Sequence, residues 1–167
     1  MGKAIARMQP GSLDHATEVH LQELLSQRAT GSTVGIDEDP EALVSAAKSA
    51  GARLIYLANP DNPMGSHHSA QMIEDMVANL PDCSLLILDE AYADLAPPGT
   101  VPVIPADHPQ VIRMRTFSKG YGLAGARVGY AITNPELALA FDKVRDHFGM
   151  GRISQAGALA AVDDSEL

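Results

Sequence analysis

The sequence predicts an α/β fold, a three-layer arrangement in which a mainly parallel sheet carries helices on both faces. Three observations lead there. Short apolar runs alternate with stretches of helical periodicity, dense turn signals separate them, and the chemically loaded residues follow the carboxyl ends of the runs. Open sheets of this class bind ligands at that edge. A length of 167 residues suffices for one ordinary domain, and 46% apolar with 20% charged residues is a globular balance.

The elements follow in order. After an uncommitted start, Leu13 to Arg28 reads as a helix with Ser12 as N-cap and Arg28 in its last turn. Residues 29–37 are rich in Gly, Ser and Thr and read as a loop or short strand. Asp39-Pro40-Glu41 opens a helix with Asp39 as N-cap and Pro40 in the first turn, and Gly51 stops it. Arg53 to Ala58 is an apolar strand that runs into the turn-rich segment Asn59 to Gly65. Ala70, Ile73, Val77 and Leu80 give Ser66 to Leu80 a helical spacing, broken by Pro81. Ser84 to Leu88, Val111 to Met114 and Arg127 to Thr133 read as further strands, with helices over Pro135 to His147 and Ile153 to Val162. The end at Leu167 carries no domain-closing feature, so the chain is expected to be cut short.

Composition excludes several classes of function. A net charge of −9 argues against general binding to nucleic acid or to anionic membranes. No apolar run approaches the roughly 18 residues of a membrane span, and no secretory leader pattern is visible. The single cysteine, Cys83, reads as a thiol at the edge of the core; with no partner for a disulfide, a reducing cytoplasm is expected. His67 and His68, adjacent at a helix start, point apart and make a poor metal site, and His15 and His20 read as surface residues.

Charge is distributed unevenly. Between His108 and Pro135 there is no acidic residue but four basic ones: Arg113, Arg115, Lys119 and Arg127. On an acidic chain such an island suggests an anion subsite, and a lysine among glycines suggests a reactive amine. Two textual motif matches are set aside. Gly120-Tyr-Gly122-Leu-Ala-Gly125 fits the dinucleotide pattern, but a strand-like segment follows it where a helix is required. Leu85 to Glu90 resembles the acidic strand of a nucleoside triphosphatase, yet no phosphate-cradling G-x-x-x-x-G-K-[ST] occurs.

Taken singly, Asp89 is a strand-end carboxylate and Asn62 a turn residue. Their combination says more. Asn-Pro-x-Gly at 62–65, Asp-x-Ala-Tyr at 89–92, and Thr-x-Ser-Lys at 116–119 with Arg127 stand in this order at separate strand ends. This set resembles the pyridoxal-phosphate-dependent aminotransferases of fold type I, class I/II, and most of all the histidinol-phosphate-aminotransferase-like branch. The resemblance runs from about Ala50 to Val162.

The resemblance implies a role for each matched residue. Lys119 stands where the family has the lysine that bonds the cofactor aldehyde and later shuttles the substrate α-proton. Asp89 matches the carboxylate that keeps the pyridine nitrogen protonated. Asn62 and Tyr92 match the donors to the ring oxygen. Thr116, Ser118 and Arg127 match the phosphate cup, where a guanidinium fork suits the dianion. Glu90 neighbours Asp89 but faces elsewhere, and no catalytic role is assigned to it. Met64 replaces a usual threonine, and Thr116 a commoner serine.

The family pattern is incomplete. No match exists to its glycine-rich helix start, nor to the aromatic residue that stacks on the cofactor. Residues 1–49 align poorly; residues 50–167 are expected to form the cofactor-binding core of the large domain, with the small domain and its carboxylate-binding arginine absent. The implied function is amino transfer between an amino acid, or an amine such as histidinol phosphate, and a 2-oxo acid, in a cytoplasmic homodimer. A decarboxylase of the threonine-phosphate type shares every motif, and a non-catalytic fragment is a third reading.

Overall fold

The computed structural model describes residues 39–146 and 149–164. The expected helix at Leu13 to Arg28, the 29–37 segment, His15 and His20 lie outside the described residues. So does His147, the expected end of a later helix.

Helix α1 (Pro40–Ala50) forms as its boundary residues dictate. The Asp39 carboxylate accepts from the Glu41 and Ala42 amides at 2.9 and 3.3 Å, and Pro40 needs no amide partner in the first turn. Gly51 ends the helix at φ 63, a left-handed geometry that favours glycine, and its N–H closes back onto Ala47 and Lys48. Val44 and Ala47 are its buried stripe.

Strands β1 (Leu54–Ala58), β2 (Leu85–Asp89) and β3 (Val111–Thr116) run parallel, and β4 (Gly129–Ile132) is antiparallel to β3, in the order β1-β2-β3-β4. The α/β class and the mainly parallel sheet are thus observed. The antiparallel edge has a simple cause: the segment between β3 and β4 holds only a 3₁₀ turn, Ala124–Ala126, too short for a helical crossover. Helix α2 (Ala70–Ala78) lies between β1 and β2; α3 (Pro135–Val144) and α4 (Arg152–Asp163) follow β4.

One face of the sheet carries the core. Ile55, Leu57, Leu86, Leu88 and Val111 pack with Val44 and Ala47 of α1 and with Ile73, Met76 and Val77 of α2. Leu57, Ile73, Leu86 and Leu88 are wholly buried. The other face is less closed among the described residues: Leu54, Leu85 and Ile87 are half-buried and Tyr56 is exposed, although Ile112 is buried. A second, smaller cluster joins Phe117, Val128 and Ala158 of α4 beyond the strand ends.

Several boundaries move from expectation. Helix α2 starts at Ala70, not Ser66, because the buried Asn59 side chain claims the preceding turn. Its amide donates to the His68 and Thr100 carbonyls, its oxygen accepts from the His68 amide at 2.8 Å, and Ser69 then caps the helix. Strand β3 continues two residues past Met114, since Arg115 and Thr116 pair with Tyr130 and Gly129. Strand β4 begins after Arg127, whose φ of 55 takes it out of extended geometry. Cys83 is exposed and free, a correction to its placement at the core edge.

Candidate active site

Three chain segments meet at the carboxyl edge of the sheet. The first is the turn after β1, where the Asn59–Pro60 and Asn62–Pro63 peptide bonds are cis. The second runs from Asp89 at the end of β2 into the 3₁₀ turn Ala93–Leu95. The third is the loop after β3 that carries Ser118 and Lys119. Backbone bonds tie the first two together, with the Asn59 amide on the Asp89 carbonyl at 2.9 Å.

Asp89 is half-buried and its carboxylate is oriented from both sides. The Ala91 amide donates to Oδ1 at 3.0 Å, and the Tyr56 hydroxyl donates to Oδ2 at 2.9 Å. Tyr56 was not anticipated. Its signal in the sequence was a phenol within an otherwise aliphatic strand, and the register that sets Ala58 beside Asp89 brings it within reach. Asp89 follows Ile87 on the open face, whereas Glu90 points to the core face.

Lys119 is exposed, and its ammonium lies 4.8 Å from the centroid of the Tyr92 ring, a cation–π distance. Tyr92 and Asn62 line one open cavity of about 290 Å3 together with Pro60, His67, Leu95 and Pro97. A larger groove of about 410 Å3 runs between α1 and α2, but none of the candidate residues lines it. Of the candidate residues, Asn62 and Tyr92 line the smaller cavity. Met64, the departure in this turn, is 58% exposed and so leaves packing undisturbed.

The phosphate-cup residues are only partly assembled. Ser118 is half-buried, and its amide donates to the Thr116 hydroxyl at 3.1 Å. Thr116 in turn donates to the Val128 carbonyl at 3.3 Å, so its single proton is directed at main chain. In this geometry Thr116 shapes the loop; to donate to a phosphate it must turn its hydroxyl. Arg127 is exposed and gives one guanidinium N–H to the Ala124 carbonyl at 2.8 Å.

The positive island needs correction. Arg113 and Arg115 are neutralised internally by Glu90, a carboxylate 1% exposed. Arg113 donates to it through two nitrogens at 3.0 and 2.9 Å, and Arg115 adds 2.8 Å from Nε while its Nη1 reaches Asp94 at 3.0 Å. Burial alone would lower the Arg115 pKa, but the hydrogen bond it donates to Glu90 and the charges of Glu90 and Asp94 lift it above the ordinary value. Lys119 and Arg127 are the island's cations outside this cluster. Among the described residues, no group of three or more His, Cys, Asp or Glu side chains is placed to hold a metal.

The donor set matches a pyridoxal phosphate site in kind: a phenol and an amide on one cavity, an accessible amine over the phenol's ring, an oriented carboxylate at the neighbouring strand end, and a hydroxyl-bearing turn with an arginine at the next loop. Comparison with known proteins agrees. Residues 28–167 match the family described as aminotransferase class I and II. Histidinol-phosphate aminotransferase of Geotalea daltonii is 36% identical over 165 residues, which is 99% of this chain and 45% of that one. The solved histidinol-phosphate aminotransferase of Sinorhizobium meliloti, in complex with pyridoxal-5'-phosphate, superposes with a TM-score of 0.73 at 49% identity, covering 81% of this chain and 38% of that one. L-threonine-O-3-phosphate decarboxylase of Porphyromonas gingivalis superposes over 74% of this chain and 38% of its own with a TM-score of 0.60, but at 20% identity that likeness shows the fold alone. The chain spans less than half the length of the curated relatives it matches.

Proposed function

We propose, from the premise that this chain belongs to the class I and II aminotransferases, that it binds pyridoxal 5'-phosphate through Lys119 and serves amino transfer between an amino acid and a 2-oxo acid. The observation that carries the reading is the Lys119 ammonium 4.8 Å from the ring of Tyr92, a residue that itself lines a cavity with Asn62. Histidinol phosphate is the amine favoured here, since the Geotalea and Sinorhizobium relatives bear that name.

Bound pyridoxal phosphate supplies an electron-withdrawing ring that accepts charge from the substrate α-carbon. Every other step belongs to the chain. The Lys119 amine would hold the cofactor through its aldehyde and, when free, would serve as the base that moves the substrate α-proton. The Asp89 carboxylate, held by Tyr56 and the Ala91 amide, would keep the proton on the cofactor's ring nitrogen. Tyr92 and Asn62 would donate to the ring oxygen, while Ser118 and Arg127, with Thr116 shaping their loop, would receive the phosphate.

Residues 50–167 form the cofactor-binding unit in this reading, and α1 ahead of them shares its core. A cytoplasmic homodimer is the proposed setting. Exposed Leu139 and Val144 on α3 and Ile153, Leu159 and Val162 on α4 supply apolar surface for association, and the single free Cys83 suits a reducing compartment. No helix among the described residues is long and apolar enough to cross a membrane.

The test is chemical. Incubation with pyridoxal phosphate, borohydride reduction and peptide mapping should place the label on Lys119. Equal labelling of Lys3, Lys48 and Lys143 would refute the assignment.

A further inference from the structure

We propose that Glu90 is a positioning residue for the site: a buried clamp that sets the Lys119 loop against the Tyr92 turn. The proposal rests on the reading that Lys119 carries the cofactor. It concerns how Lys119 is held there.

The two arms of the site leave the sheet side by side. One arm holds Asp89 and Tyr92, the other Thr116, Ser118 and Lys119. The parallel ladder between them ends where the Glu90 amide reaches the Met114 carbonyl at 2.9 Å. Past that rung side chains take over. Glu90, 1% exposed, receives three N–H bonds of 2.8 to 3.0 Å from Arg113 and Arg115, both on the facing strand. Arg115 then crosses back to the first arm, donating to Asp94 in the turn beside Tyr92 at 3.0 Å. The chain of contacts thus goes out from one arm and returns to it.

A second contact closes the clamp from the loop side. A Cβ built at Gly120 would lie 2.8 Å from the Asp94 Cβ, so the backbone next to Lys119 rests directly on Asp94. Asp94 is held by Arg115 on one side and by Gly120 on the other. Between these supports the Lys119 ammonium sits over the Tyr92 ring. Apolar residues of similar volume would stabilise such a location as well or better. A buried carboxylate with a two-pronged arginine contributes direction, because its bonds are satisfied in one geometry only.

The consequence is that loosening the clamp misplaces Lys119 while the core stays formed. Glu90→Gln removes the charge shared by both arginines. Gly120→Ala keeps the buried Glu90 with its two arginines and pushes the arms apart by pressing on Asp94; it serves as the second variant should Glu90→Gln not fold. Two readouts are taken on the whole chain. Without cofactor, amide hydrogen exchange should show residues 89–96 and 116–123 losing protection together, with β1, α1 and α2 unchanged. With pyridoxal phosphate, borohydride-trapped label at Lys119 should fall about ten- to a hundred-fold, the range that a displacement near 1 Å produces. Label at Lys48 should not change.

Protection lost in one arm only, or in neither, overturns the clamp. So does full Lys119 labelling in a variant whose two arms have loosened. If wild type itself takes no label at Lys119, the functional reading fails, and the clamp is then decided by the exchange pattern alone.

Discussion

Replacing Asp89 by asparagine separates a cofactor-binding carboxylate from an ordinary strand-end one. The side chain keeps its shape, so the Ala91 amide retains an oxygen acceptor and the Tyr56 hydroxyl still finds a partner. Folding should therefore change by less than about 1 kcal/mol, since one charge-assisted bond becomes a neutral one. Cofactor binding should suffer more, because asparagine cannot hold the proton on the ring nitrogen. Truncating one member of a fully buried charge pair costs about 3–5 kcal/mol. Asp89 is only half-buried and its partner Tyr56 is 41% exposed, so solvent screens part of that loss. An expected cost of about 2–3 kcal/mol corresponds to about 30- to 150-fold weaker binding. Spectrophotometric titration with pyridoxal phosphate measures the Kd, and a thermal melt of the unliganded chain checks the fold. Tyr56→Phe, which removes one donor and leaves the charge, should lie between wild type and Asp89→Asn. Equal affinity and an identical absorbance spectrum for wild type and Asp89→Asn would refute the reasoning, and Asp89 would then be no more than the end of β2.

Three further outcomes are expected. Leu88→Ala should destabilise the fold by about 2–5 kcal/mol in urea, because Leu88 is wholly buried at the centre of the sheet and the space it leaves cannot collapse. Asn59→Ala should cost about 2–4 kcal/mol and raise exchange across residues 60–68, since it strands the His68 amide and the His68 and Thr100 carbonyls at a buried position. Tyr130→Phe should flatten the alkaline limb of stability. Burial, only partly opposed by Arg115, raises the Tyr130 pKa in the folded chain, so its contribution is complete below the unfolded value near 10 and is lost as pH climbs through the folded one; denaturant melts across that range read the difference.

What could be read from the sequence, and what could not, divides along the reach of the interactions. The start and stop of α1 were legible because Asp39, Pro40 and Gly51 act on amides within a few residues of themselves. The succession of strands and helices along the chain, and the placing of Asn62, Asp89, Tyr92 and Lys119 after strand ends, were legible for a similar reason: alternation and turn residues are local. Ser66 to His68 were misjudged as helical because their fate depends on Asn59, which holds them through its side chain rather than through any helical period. The four basic residues looked like one anion subsite because composition carries no register. Only the pairing of Leu88 with Arg113 and Asp89 with Met114 reveals that Arg113 and Arg115 project to the Glu90 side of the sheet. Adjacent carboxylates at the end of β2 thus take opposite faces and opposite tasks. Asp89 stays on the open face with an oriented, reachable charge, and Glu90 is buried among arginines that hold the two arms of the site together.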